Sequence, residues 1–73
     1  MDAILTLVAK LRHPLAEVRW NAVTVLGEFG PEAEAAVPAL QSLLRDPNDQ
    51  VARAVPRALC RIRPEIMAVV ELG

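Results

Sequence analysis

Apolar residues recur along the chain at intervals of three and four, the spacing of one helix face, in four segments separated by Pro, Gly or short polar clusters. The first segment, about Asp2 to Arg12, places Ile4, Leu7, Val8 and Leu11 on one stripe, with Asp2 as N-cap or first-turn carboxylate, and His13-Pro14 closes it. The second, about Ala16 to Phe29, aligns Val18, Ala22, Val25, Leu26 and Phe29. It stops where Gly30 supplies a left-handed C-cap and Pro31 cannot continue the helix. The third, about Ala33 to Arg45, presents Val37, Leu40, Leu43 and Leu44 before Asp46-Pro47, with Pro38 bending it near its start. The fourth, about Asp49 to Arg63, aligns Val51, Val55, Ala58, Leu59 and Ile62, and an apolar stretch from Ile66 to Leu72 begins a fifth. The pattern predicts an all-α chain. Pro56, inside the fourth segment, removes one backbone donor and crowds the carbonyl of Ala52, at a cost of about 3 kcal/mol, so a kink is predicted there.

The segments also repeat. A shift of 33 superposes identical residues at Ala3/Ala36, Leu7/Leu40, Leu11/Leu44, Arg12/Arg45, Pro14/Pro47, Val18/Val51, Leu26/Leu59, Pro31/Pro64, Glu32/Glu65 and Ala35/Ala68, mainly core and turn positions. A unit of two antiparallel helices cannot cover its own apolar face, so such units stack in layers. Repeat 1 spans about 1–32, repeat 2 about 33–65, and residues 66–72 begin a third, in a single domain over 1–73.

The strings LRHPLAEVRWNAVTVLGEFGPEAEAAVPALQSLLRDP and NDQVARAVPRALCRIRPE resemble the HEAT-like repeat, in the short form found in bilin-lyase accessory proteins and bacterial scaffolds. The residues that carry the resemblance are Val18, Arg19, Ala22, Leu26, Gly27, Gly30, Pro31, Leu44, Asp46 and Pro47. It implies a short right-handed α-solenoid whose second helices line a concave face. It also implies a polar ladder between layers, from an Asp closing each first helix to an Arg early in each second helix. Here His13 replaces one such Asp and Ala52 one such Arg, leaving a single rung, Asp46 to Arg19, as expected of a short array. Fold alone does not fix activity.

Composition adds a constraint. Apolar residues make up 53% of the 73 and mean hydropathy is +0.30, whereas a domain of this size hides only about 60% of its unfolded surface, so a partner or a further copy is expected to cover the remainder. Eight basic and nine acidic side chains nearly cancel, which excludes a disordered acidic tail and a strongly basic module. The one cysteine, Cys60, has no disulfide partner, and His13 alone does not complete a zinc site. A reducing, cytoplasmic setting is predicted, with Cys60 as a small buried filler and His13 as a loop or cap residue. The apolar stretch Ala3–Leu11 is too short to span a bilayer, and no export signal is expected. Neither a nucleophile-base pair, a phosphate loop nor a metal-binding string is present, so no catalysis, cofactor or metal is predicted.

Candidate binding residues lie on the second helix of each repeat. Trp20 falls nearly opposite the Val18/Ala22/Val25 stripe, next to Val23, Thr24 and Gly27, and Arg53, Arg57 and Arg61 form a basic ridge at i, i+4, i+8 on the corresponding face of the next repeat. Trp and Arg are the types most enriched at binding hot spots, so Trp20, Asn21, Thr24, Glu28, Arg53, Arg57 and Arg61 are predicted to dock a protein surface. The plainer alternative has the arginines solvating a helix and pairing with Glu28 or Asp49, and Trp20 packing on a neighbouring loop. Leu5 and the apolar side chains of Ile66–Leu72 form uncapped ends that predict self-association. A nucleic-acid-binding alternative rests on the arginine ridge. Against it, residues 37–73 carry only five arginines to four acids, residues 1–36 three bases to five acids, and one Trp and one Phe give few platforms for bases. A second alternative, an accessory subunit of a lyase, is implied by the resemblance only.

Overall fold

The structure is a computed structural model and describes residues 2–64. The chain forms α1 (Ala3–Lys10), α2 (Ala16–Phe29), a 3₁₀ segment (Gly30–Ala36), α3 (Val37–Ser42), a 3₁₀ turn (Leu43–Arg45) and α4 (Asp49–Ile62), with no strand among the described residues. This is an all-α helical repeat fold. The fifth helix expected from Ile66 lies outside the described residues.

Local chemistry sets the boundaries. Asp2 caps α1 by accepting from the amides of Ile4 (3.0 Å) and Leu5 (3.4 Å), and Asn48 caps α4 through the amide of Val51 (3.1 Å). At the end of α2, Gly30 has φ 67 and ψ −144, so the expected positive φ is present but the backbone leaves the left-handed helical region, a conformation that suits glycine alone. The third helix is shorter than the pattern predicts. Pro31 starts a 3₁₀ segment, Ala33 leaves helical angles (φ −90, ψ 18), and α-helical bonding begins only at Val37, with Pro38 in its first turn where no amide is required. By contrast, α4 runs unbroken through Pro56.

Packing follows the repeat. α1 lies on α2 and α3 on α4, while α2 and α4 share the largest interface in the molecule. Leu11, Val23, Leu26, Leu40, Val51, Val55 and Ile62 are fully buried and form the core. Gly27 lets the two long helices approach: a Cβ at that position would stand 3.1 Å from Ala58 Cα. Three expectations fail for one reason. Val23, read as facing away from the core, is fully buried because α4 covers it; Leu44, read as core, is 46% exposed; and Cys60, read as a buried filler, is exposed. Position for position, Leu44 and Cys60 correspond to Leu11 and Gly27, which are buried because repeat 2 lies over them.

Candidate partner-binding groove

The loops that set the two repeats against each other are joined by one polar cluster. Arg19 Nε donates to Asp46 Oδ2 at 2.8 Å and its Nη2 to Oδ1 at 3.1 Å, while Nη1 donates to the carbonyls of His13 (2.7 Å) and Pro14 (3.0 Å). This is the rung expected from the repeat, and the Asp46 side chain is only 3% exposed. Asp46 Oδ1 also accepts from the Asn48 amide (2.8 Å), and His13 Nδ1 accepts from the Leu15 amide (3.0 Å), so His13 performs in repeat 1 the cap that Asp46 performs in repeat 2. Burial pushes the Asp46 carboxyl up; the Arg19 hydrogen bond, the Asn48 amide and the Arg19 charge together outweigh it, and the pKa lies below its ordinary 3.8.

With the layers so held, α2 and α4 run side by side in the same direction, Trp20 near Gln50 at one end and Gly27 near Ala58 and Arg61 at the other. Between them opens a groove of about 580 Å³, lined by Trp20, Thr24, Gly27, Glu28 and Gln50 and by Arg53, Ala54, Arg57, Ala58 and Arg61. Trp20 is 46% exposed and Arg53, Arg57 and Arg61 are all exposed. Six of the seven candidate residues therefore come together here. Asn21 does not: it lines a second groove of about 710 Å³, shared with Lys10 and Asn48, and Trp20 and Gln50 stand on the border between the two.

Each side chain has a different degree of engagement. Thr24 Oγ1 is occupied, donating to the Trp20 carbonyl at 3.0 Å. Arg53 pairs with Asp49 at 3.1 Å across one helical turn, with both side chains largely in solvent, a pairing that contributes little. Arg57, Arg61 and Glu28 form no ion pair with any described residue, so of the two pairings in the alternative reading the one with Asp49 is present, at Arg53, and the one with Glu28 is not. Sequence reasoning missed Gln50, which shares both grooves. A short polar side chain in the first turn of α4 gave no signal distinguishing it from ordinary surface.

The family model describing HEAT repeats matches residues 4–70. No curated protein and no solved structure matches the chain.

Proposed function

Because the chain belongs to the HEAT repeat family, we propose that it is a non-enzymatic interaction module that docks a protein partner in the groove between α2 and α4. The observation that carries this reading is the exposed Trp20 in a groove whose Arg57 and Arg61 form an ion pair with no described acid. An indole held in solvent on a rigid helix offers a large contact area at small ordering cost, and guanidinium groups around it supply orientation. Leu5, 62% exposed on α1, and Leu44 at the far layer support a second contact, self-association through the ends. No helix among the described residues is long and apolar enough to cross a membrane, and the single free Cys60 fits a cytoplasmic setting.

The test is capture from an extract of the source cells by the immobilised chain and by its Trp20→Ala and Leu5→Lys variants, with helicity checked by circular dichroism. The expected result is partner proteins retained by wild type, lost with Trp20→Ala and kept with Leu5→Lys. Capture that survives Trp20→Ala contradicts the groove reading.

A further inference from the structure

The groove has a spacing as well as a charge. Arg53, Arg57 and Arg61 lie four residues apart on α4, and at about 1.5 Å rise per residue they step by about 6 Å along its axis. Side chains on one face of an extended chain step by about 6.6 Å, two residues at a time. The two rulers agree over the length of the groove. α2 and α4 touch near Gly27, where a Cβ would stand 3.1 Å from Ala58 Cα, so the groove is a furrow along their shared surface, and a segment lying along it as an extended chain meets Arg53, Arg57 and Arg61 at every second residue.

Charge decides what the extended segment carries. Three arginines face one acid, Glu28, in the lining, and Arg57 and Arg61 have no ionic partner among the described residues. Trp20, at the Arg53 end, takes an apolar side chain. A nucleic acid presents a phosphate at every step and stacking faces in series. One tryptophan, an acid within the groove and a net charge of −1 suit it poorly. We propose that the groove takes an extended acidic segment of a protein partner, with an apolar side chain on Trp20 and carboxylates at the next two alternate positions against Arg57 and Arg61. Each carboxylate gains charge-assisted hydrogen bonds from a planar guanidinium fork. This inference rests on the groove reading and specifies its ligand.

A random octapeptide library displayed on phage, selected on the wild-type chain and counter-selected on Trp20→Ala, tests it. The expected pool is enriched in peptides with Asp or Glu two residues apart and an apolar residue two positions before or after the pair. Fluorescein-labelled copies of the recovered peptides then bind by anisotropy, lose about tenfold in affinity when both acids become Asn, and lose the same against Arg57→Gln/Arg61→Gln. A pool dependent on Trp20 but without acidic enrichment overturns the inference and leaves the groove reading standing; no pool above the Trp20→Ala background overturns both. A fluorescein-labelled twelve-nucleotide single-stranded DNA that binds more tightly than any selected peptide, and is released by Arg57→Gln/Arg61→Gln, overturns the inference in favour of phosphate recognition.

Discussion

At the scale of single residues, Arg19 and Asp46 hold the two layers in register. Removing Arg19 leaves a carboxylate with 3% exposure and two loop carbonyls without their donor, so Arg19→Ala is expected to destabilise the chain by about 3 kcal/mol, measured by urea denaturation. For a domain whose total stability is expected at about 5–10 kcal/mol, that is a large share. The folded pKa of Asp46 is depressed, so its contribution is complete well above the ordinary 3.8 and is lost as pH falls through the lower folded value. Denaturation midpoints are expected to drop from about pH 5 downward in wild type and to drop less in Asp46→Asn, which has no charge to lose. This rung was legible through the resemblance to the repeat, which implies an Asp closing a first helix and an Arg early in a second helix, and Asp46 and Arg19 are the two residues that keep those places. The role of His13 was legible only as a loop residue, since an imidazole in place of an aspartate does not announce which backbone amide it accepts from.

At the scale of the element, each long helix has two neighbours, and the glycines and prolines record where they are. Gly27→Ala gains about 1 kcal/mol in helix propensity but places a methyl 3.1 Å from the backbone of α4, where overpacking typically costs about 1–3 kcal/mol. Net destabilisation is expected, read as a lower melting temperature. Pro56 is the opposite case: α4 is continuous across it, so Pro56→Ala restores a donor to the Ala52 carbonyl and is expected to raise stability by about 2 kcal/mol. A melting temperature unchanged or lowered in Pro56→Ala contradicts this. Helix ends at Asp2 and Phe29 followed from a cap and a stop visible in the sequence, whereas the cap of α4 is Asn48 and not Asp46, whose carboxylate is taken by Arg19 and the Asn48 amide. The shortness of α3 did not, because the apolar spacing of Val37, Leu40 and Leu43 is shared by α-helix and by 3₁₀ turns over so few residues.

At the scale of the whole molecule, the repeat explains the distribution of burial. Ala3, Leu7, Val18, Val25 and Phe29 are exposed or half-buried, while their repeat-2 counterparts Ala36, Leu40, Val51, Ala58 and Ile62 are buried under repeat 1. On the opposite face the order reverses, with Leu11, Val23 and Gly27 covered, Leu44 and Cys60 exposed and Pro56 half-buried. A periodicity analysis of one helix at a time cannot see this, since it weighs apolar residues around one axis and not the layers on either side; hence the misplacement of Val23, Leu44 and Cys60. Under the proposed self-association these two open faces pair with each other, so sedimentation is expected to show concentration-dependent self-association that Leu5→Glu and Leu44→Glu each weaken. A monomer at every concentration contradicts that expectation and leaves the groove untouched.

Trp20 is the chain's only tryptophan and stands at the centre of the proposed function, so its own fluorescence is the most direct report. Titrating a captured partner into the chain is expected to move the emission to shorter wavelength as the half-exposed indole leaves water, with a midpoint equal to that of binding. Binding of the partner with an unchanged Trp20 spectrum places the contact elsewhere and contradicts the account.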